Sequence, residues 1–304
     1  MAKQHSGNPI LPGKGVCDPH VRIHDGRAYL YATHDRAPEN TQFLMDDWWI
    51  WSTPDLINWT HECTVRPEET YHRAAYDSCW AVDAIGYNGR YYFYFSLGPT
   101  EIGVLEGDSP VGPWRDVLGK PLIAAGSTPT EARDPGLFVD DDGQAYIVFG
   151  TWDFYMARLN SDMVSLAETP RLLHVVNPEG PYGKGKMDDK PYLHKRNGVY
   201  YLSWGCFYAM SDSVYGPYEC WGSIIHEENV APLLRYRHQV ITADRHGSFF
   251  EWRGQWYFIC NEMGVTQSSF FRDSSISYVN YTKTGEIEPV RITESGVASV
   301  EPAP

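Results

Sequence analysis

The sequence predicts an all-β protein, a five-bladed β-propeller with four-stranded antiparallel blades that takes up residues 1–304 as a single domain. Three observations lead to this prediction. Helical periodicity is scarce, the apolar runs are short and rich in aromatic residues, and one local pattern recurs five times along the chain. Short aromatic-rich runs bounded by Gly, Asn, Asp or Pro are typical of strands.

The recurring pattern is a short apolar run, a polar residue followed by glycine, and an aromatic-rich run. The five turn glycines, 54 to 63 residues apart, are Gly26, Gly89, Gly143, Gly198 and Gly254. Glycine adopts the positive φ of tight turns at low cost, so each segment is predicted to be a β-hairpin. The spacing leaves room for two further strands per unit, and five such units around an axis form a propeller.

The end of the chain completes the last unit in this interpretation. The runs SISYVNY and EPVRIT, after Gly254, are expected to supply the outer strands of the fifth blade. The alternative architecture is a β-sandwich made of five hairpins, but strands of a sandwich usually follow one another at shorter spacing.

Composition excludes several classes of partner. The chain has 39 acidic and 25 basic residues and a formal net charge of −14, so nucleic acid and anionic membrane surfaces are not expected to bind. No run approaches the ~20 apolar residues of a membrane span. The N-terminal residues lack the apolar stretch of a signal peptide, and the six cysteines are scattered without zinc-site spacing. We therefore expect a cytoplasmic protein with reduced thiols.

A chargeable residue opens the first strand of every unit, six to nine positions before the turn glycine. These residues are Asp18, Asp83, Asp134, Asp189 and His246. The first strands of a propeller line its central channel, so the five side chains are expected to converge at one end of it. Any one aspartate could simply cap a turn. Crowding four carboxylates should raise at least one pKa, which is typical of a functional site.

Paired carboxylates with different pKa values suit the cleavage of a glycosidic bond. One carboxyl group gives a proton to the leaving oxygen, and the other acts at the anomeric carbon. In the inverting route the two groups stand roughly 6.5–9.5 Å apart, so that a water fits between them. Opposite walls of a narrow channel can provide such a gap.

Three segments of the chain resemble glycoside hydrolase family 43, the five-bladed propeller family of arabinofuranosidases, xylosidases, arabinanases and galactanases. They are NPILPGKGVCDPHV (8–21), ARDPGLFVDDDGQAYIVFG (132–150) and RHGSFFEWRGQWYF (245–258). The resemblance extends over nearly the whole chain. It implies that Asp18 is the general base and that Asp134 orients the general acid and tunes its pKa. It also implies that no cofactor is required, and it places His246 on the axis, where the family often holds a calcium ion or a water.

The general acid is where the sequence departs from the family. The family normally has Glu two residues before a Pro, whereas the matching stretch MDDKPYLHKRNGVYYL (187–202) has Asp189, one methylene shorter, with Asp188 beside it. Three alternatives follow. Asp189 is the acid, Glu179 in the preceding loop is the acid, or the acid is lost and the propeller only binds sugar.

Other residues near the carboxylates are candidates for substrate binding. Trp80, Trp152 and Tyr208 offer rings on which the apolar face of a sugar can stack, although rings also pack between blades. Arg133 could bind a sugar hydroxyl or balance the acidic residues. Together with Asp83 and His246, these residues make up the expected substrate-binding set.

The expected function is an inverting glycoside hydrolase of hemicellulose degradation, with a pentose- or galactose-containing oligosaccharide as its partner. An exo-acting α-L-arabinofuranosidase or β-xylosidase is favoured. A β-galactosidase or galactofuranosidase of the same family and a non-catalytic sugar-binding propeller are the alternatives. An interaction scaffold would instead have a polar axis without clustered acids.

Overall fold

The computed structural model describes residues 6–229, 232–234, 240–242 and 245–300. Five antiparallel sheets surround a central channel, as predicted. Blade 1 consists of β1 (Val16–His24), β2 (Arg27–His34), β3 (Trp48–Thr53) and β4 (Thr60–Val65). Blade 2 consists of β5 (Cys79–Tyr87), β6 (Arg90–Leu97), β7 (Glu101–Gly107) and β8 (Trp114–Arg115). Blade 3 consists of β9 (Gly136–Val139), β10 (Ala145–Thr151), β11 (Asp153–Arg158) and β12 (Arg171–Leu172).

The last two blades depart slightly from this scheme. In blade 4, the short β13 (Val175–Val176) pairs in parallel with the outer strand, and the small hairpin of β14 (Glu179–Gly180) and β15 (Gly183–Lys184) precedes the four main strands. These are β16 (Tyr192–Arg196), β17 (Val199–Trp204), β18 (Phe207–Ser211) and β19 (Tyr218–Ser223). A hairpin of β20 (Pro232–Leu234) and β21 (Val240–Thr242) separates blade 4 from blade 5, which is β22 (Gly247–Trp252), β23 (Gln255–Glu262) and β24 (Asp273–Val279).

Helical structure in the described residues is limited to two single-turn 3-10 helices, Pro67–Glu69 and Glu227–Asn229. Among those residues no helix is long and apolar enough to cross a membrane. The six cysteines are free thiols, as the scattered spacing predicted.

The five predicted hairpins are the inner two strands of each blade. All five turn glycines have positive φ, between +73° and +84°, which explains why glycine is needed there. The first strands β1, β5, β9, β16 and β22 face the channel, and apolar side chains fill the spaces between neighbouring sheets. The repeat therefore brings the start of each first strand to one end of the channel, which we call the upper end.

The ring closes by contacts between the beginning and the end of the described chain. The N–H of Ile10 donates to the carbonyl of Ser274 at 2.9 Å, and the side chain of Asn8 makes two hydrogen bonds to the backbone of Ile276 in β24. The N–H of Asn8 also donates to the carbonyl of Glu294 at 2.8 Å. The N-terminal segment thus covers the free edge of blade 5.

This closure corrects the expected position of the run EPVRIT. Because residues 8–10 occupy the edge of β24, that run does not become the outer strand of blade 5. Val290 instead forms an isolated parallel bridge with Ile225, next to blade 4. The run SISYVNY was placed correctly, since its first five residues belong to β24.

Candidate active site

A cavity of about 360 Å³ opens at the upper end of the channel. Its lining brings together Asp18, Asp134, Asp189 and His246, four of the five residues that the repeat predicted to converge, and adds Asp188. The carboxylates come from three different blades, since Asp18 lies on β1 and the others immediately precede β9 and β16. The cavity therefore depends on closure of the whole ring.

The backbone explains how these side chains are presented. Asp18, Asp134 and Lys190 each precede a proline and each have a left-handed conformation, with φ of +47°, +58° and +57°. Non-glycine residues in this region carry about 1–3 kcal/mol of strain, which proteins tend to keep at functional sites. The residue of blade 4 with this conformation is Lys190, and Asp189 lies immediately before it, two residues before Pro191.

Asp18 is held as a carboxylate. Its Oδ1 lies 3.0 Å from Nη1 of Arg272 and accepts a hydrogen bond from Nδ2 of Asn261 at 2.9 Å, and Nδ1 of His246 lies 3.7 Å away. Burial alone would raise the pKa of Asp18, but Arg272 and then His246 outweigh it and hold this pKa well below its usual value. Asp18 is therefore ionised and able to accept a proton.

Arg272 is a site residue that the sequence did not reveal. The carboxylate of Asp35 holds its guanidinium in two contacts of 3.0 Å and also accepts its backbone N–H at 2.7 Å. This anchoring directs the remaining nitrogen at Asp18. Arg272 lies in a loop after β23, outside the repeated pattern, so no spacing pointed to it.

Asp134 and Asp189 form a second pair, bridged by Arg133. Nη2 of Arg133 lies 3.1 Å from Oδ2 of Asp189, and Nε lies 3.9 Å from Oδ2 of Asp134. Burial and the neighbouring Asp189 raise the pKa of Asp134 to about 6. Burial also opposes ionisation of Asp189, but His246 and Arg133 outweigh it and lower its pKa. The pair therefore shares one proton in weakly acidic solution, as crowding predicted.

His246 lies between the two acidic groups. Its Nδ1 faces Asp18, and its Nε2 lies 2.8 Å from Oδ1 of Asp189 and 3.2 Å from Oδ2 of Asp188. The imidazole therefore links the carboxylate of Asp18 to that of Asp189.

The residues around His246 do not suit the calcium ion that the family resemblance named, beside a water, as an occupant of this position. Asp188, Asp189 and His246 each offer a ligand atom within 4.8 Å of the others. Calcium, however, typically takes about six to eight oxygen ligands. Here one donor is a nitrogen already close to both carboxylates, and Arg133 engages Asp189. The contacts are those of an ion-paired cluster.

Aromatic side chains form the wall and rim of the cavity. Trp80 lies in the wall, with the guanidinium of Arg133 5.1 Å from its ring centre, so one of its faces is already covered. Trp152 is 46% exposed at the rim and meets Tyr182 edge-on, with ring centres 5.2 Å apart. Trp152 and Tyr182 therefore offer the exposed aromatic surface for a bound sugar, and Tyr182 was not singled out in the sequence.

Two residues of the predicted substrate-binding set lie elsewhere. Asp83 is fully buried below the cavity, where Arg22 binds both of its oxygens. Tyr208 is buried in the core of blade 4, and its hydroxyl accepts the N–H of Ile287 at 3.1 Å. These two positions correct the expectation of substrate contact, because neither side chain lines the cavity.

Glu179, the alternative proton donor, is also absent from the cavity lining. It lies in the small hairpin before β16 and lines a separate surface groove with Lys184 and Gly185. Its backbone carbonyl accepts the indole N–H of Trp204 at 2.8 Å, which fixes the backbone of the hairpin in this place.

Comparison with known proteins agrees with this geometry. Residues 6–297 match the model of the glycosyl hydrolases family 43. A β-D-galactofuranosidase of Aspergillus niger is 31% identical over 96% of this chain and 87% of its own length. An arabinoxylan arabinofuranohydrolase of Paenibacillus polymyxa is 26% identical over 97% of this chain, which spans only 53% of that relative.

A solved structure shows the same fold. It is a family 43 arabinoxylan arabinofuranohydrolase from Bacillus subtilis in complex with cellotetraose, 23% identical, with a TM-score of 0.82 over 98% of this chain and 70% of the other. The family match covers nearly the whole chain, and a cluster of paired carboxylates lies where the channel opens. The chain therefore belongs to glycosyl hydrolases family 43 and is a glycosidase.

Proposed function

We propose that this glycosidase is exo-acting and inverting, and that it removes a terminal furanosyl unit from an oligosaccharide. The observation that carries the proposal is the pairing, in one cavity, of an ionised Asp18 with the Asp134–Asp189 pair that shares a proton. An ionised base and a protonated acid are the two groups that glycosidic cleavage requires.

The geometry suggests a role for each residue. Asp18 accepts a proton from the attacking water, since Arg272 and His246 keep its carboxylate ionised. The Asp134–Asp189 pair, which holds one proton in weakly acidic solution, donates that proton to the leaving oxygen, with Asp189 as the member that matches the family's acid position. Arg133 fixes both carboxyl groups and offers a charged contact to sugar hydroxyls. Glu179, which lines a different groove, is not part of this mechanism.

The shape of the cavity supports attack at a chain end. Below the carboxylates the channel is filled by buried side chains, among them His20, Asp83 and Lys190. A sugar can enter from the upper end only as far as these residues. A cavity of about 360 Å³ that is closed at one end suits a terminal sugar and the beginning of its leaving group.

The relatives suggest the identity of that sugar. Their names specify galactofuranose for one and arabinofuranose for the other. β-D-Galactofuranosyl and α-L-arabinofuranosyl groups have the same ring configuration and differ in the substituent at C4. One cavity can therefore bind the ring of either, and a β-xylosyl end is the second candidate.

A panel of 4-nitrophenyl glycosides tests the proposal. We expect kcat/KM to be highest for the α-L-arabinofuranoside or the β-D-galactofuranoside and lower for the β-D-xylopyranoside. Proton NMR of the first product should show the inverted anomer. Tight binding of these sugars in calorimetry without turnover of any substrate would instead identify a sugar-binding propeller that has lost its acid.

A further inference from the structure

Asn261 lies directly behind Asp18 without lining the cavity. It belongs to β23, the second strand of blade 5, and is 1% exposed. Its Oδ1 accepts the backbone N–H of Asp18 at 2.7 Å, and its Nδ2 donates to Oδ1 of the Asp18 carboxylate at 2.9 Å. A backbone N–H can only donate and an ionised carboxylate can only accept, so these two partners fix the orientation of the amide. One side chain therefore holds both the backbone and the carboxylate of Asp18.

Asn261 occupies a position that recurs in every blade, seven residues after the turn glycine. The residues at this position are Thr33, Ser96, Gly150, Gly205 and Asn261. Blade 5 precedes blade 1 around the closed ring, just as blade 2 precedes blade 3. Asn261 and Ser96 therefore stand in the same relation to the two aspartates with a left-handed backbone, Asp18 and Asp134.

Ser96 makes only one of the two contacts at Asp134. Its hydroxyl oxygen accepts the backbone N–H of Asp134 at 2.9 Å, and its hydrogen is donated to the carbonyl of Ala81 at 3.1 Å. A hydroxyl has no second hydrogen to offer to the carboxylate of Asp134. That carboxylate instead accepts the backbone N–H of Lys190 at 3.1 Å. The two aspartates thus have the same support for the backbone but differ in the side-chain donor to the carboxylate.

We propose that Asn261 is a positioning residue that distinguishes Asp18 as the base, because its single amide stabilises the left-handed backbone of Asp18 and also donates to the carboxylate. Ser96 supports only the backbone of Asp134, which is left to share a proton with Asp189. A hydrogen bond to the charged form of a carboxyl group favours that form. The inference rests on the proposed hydrolase function for its kinetic part.

Asn261 acts together with the ionisable groups around Asp18. Nη1 of Arg272 lies 3.0 Å from the carboxylate and Nδ1 of His246 lies 3.7 Å from it, and both residues flank strands of blade 5. The other ionisable groups that interact electrostatically with Asp18 are Cys17, Asp35, Asp134, Asp189 and Lys190. The side chains that contact the carboxylate thus come from the last blade, whereas Asp18 belongs to the first, so closure of the ring assembles the base.

The first test exchanges the two residues and does not depend on activity. Asn261→Asp places a second carboxylate within hydrogen-bond distance of Asp18, where both cannot ionise freely, so the melting temperature at neutral pH should fall by several degrees. Adding Asp18→Asn restores one donor and one acceptor in the opposite sense. The double variant should therefore melt at a higher temperature than Asn261→Asp alone. A double variant that melts as low as Asn261→Asp, or lower, would overturn the proposal.

The second test compares the two equivalent positions by kinetics. Asn261→Ala removes a donor to a charged group and should lower kcat by up to about 100-fold, with KM close to normal because Asn261 does not line the cavity. Ser96→Ala is the matched control. It removes the corresponding acceptor of a backbone N–H and should cost only about fivefold, as expected for a neutral hydrogen bond. Equal losses would mean that support of the backbone alone matters, contrary to the role given to the carboxylate contact.

The pH profile separates this role from a general loss of packing. A base acts only when it is ionised, so kcat/KM falls as the pH drops through the pKa of the base. In Asn261→Asp one of two adjacent carboxyl groups should keep a proton up to about pH 5, so the acidic limb should move to higher pH than in the unmodified enzyme. Ser96→Ala should leave this limb in place. An acidic limb that Asn261→Asp does not move would contradict the proposal.

The two kinds of measurement keep the two proposals apart. If Asn261→Ala does not fold, the exchange of Asn261 with Asp18 and the pH profile of Asn261→Asp still decide the role of Asn261. Failure of every glycoside in the panel would refute the proposed function, while the melting temperatures of the exchange variants would remain decisive for the contact between Asn261 and Asp18.

Discussion

The two ends of the propeller channel are built from the same five strands but differ in how their charges are paired. At the upper end Asp18, Asp134 and Asp189 line an open cavity, and one of them has a raised pKa. At the lower end a second cavity of about 300 Å³ is lined mainly by apolar and basic side chains three to six positions further along the same strands, such as Ile23 and Lys195.

Asp83, in contrast to the carboxylates of the cavity, has hydrogen-bond partners at both of its oxygens. Arg22 contacts its oxygens at 2.5 and 3.2 Å, and the backbone N–H groups of Leu137 and Ala84 donate to them at 2.7 and 2.8 Å. Burial would raise its pKa, but Arg22 and His20 outweigh it. Its bonds to Arg22 on β1 and to Leu137 on β9 join blade 2 to the blades on either side. Chemistry at the upper end is therefore possible because the carboxylates there are only partly paired.

The largest expected effect is on the rate after removal of the base. Asp18→Asn should lower kcat/KM by about 10⁴-fold, since general base catalysis contributes up to that amount. The melting temperature should change little, because Arg272 still has Asp35 as its partner. Steady-state kinetics with the best aryl glycoside measures the loss, and near-normal activity would show that Asp18 is not the base.

Asp83→Asn should act on stability rather than on catalysis. Removing one member of a buried ion pair typically costs about 3–5 kcal/mol, because the other charge is left without a partner. Denaturant unfolding measures this change, and KM of the folded enzyme should remain close to normal. A raised KM with unchanged stability would mean that Asp83 contacts the substrate after all.

The proton donor is tested with leaving groups of different pKa. Asp189→Asn should cost about 100-fold or more with a natural disaccharide and little with a 2,4-dinitrophenyl glycoside, whose leaving group needs no proton. Glu179→Gln is the matched control and should behave as the unmodified enzyme does. If Glu179→Gln shows the leaving-group dependence instead, the two assignments must be exchanged.

A smaller effect is expected at the rim. Trp152→Ala removes an exposed ring and should raise KM for an oligosaccharide about fivefold, since stacking on an aromatic ring is worth roughly 1 kcal/mol. Trp221→Ala, an equally exposed ring (50%) on the outer strand β19, is the control and should leave KM unchanged. Equal effects of the two variants would argue against a sugar contact at Trp152.

The smallest expected effect is a shift in the pH dependence of kcat/KM. The proton shared by Asp134 and Asp189 is lost as the pH rises through about 6, so kcat/KM should fall above that value. Asp134→Asn removes a like charge beside Asp189, which lowers the pKa of Asp189 and should move this limb to lower pH. An unmoved limb would show that another group carries the proton.

The sequence predicted those parts of the molecule that follow from the repeat. Turn glycines and strand starts recur with fixed spacing, so the hairpins, the blade number and the convergence of Asp18, Asp134, Asp189 and His246 could be derived. Arg272 could not, because it lies in a loop whose position depends on closure of the ring. The structural role of Asp83 could not be derived either, because its position in the strand does not show that Arg22 reaches it from the neighbouring blade.

The contact between Asn8 and Glu294 has a consequence for the design of variants. Because these two segments lie side by side, a short linker could join them, and new ends could be opened in a surface turn such as that at Gly143. Such a circular permutant should retain the cavity, since every blade keeps its neighbours. In such a permutant the covalent linker, rather than the hydrogen bond between Asn8 and Glu294, would hold the two segments together. The contribution of this hydrogen bond to stability could then be measured apart from catalysis.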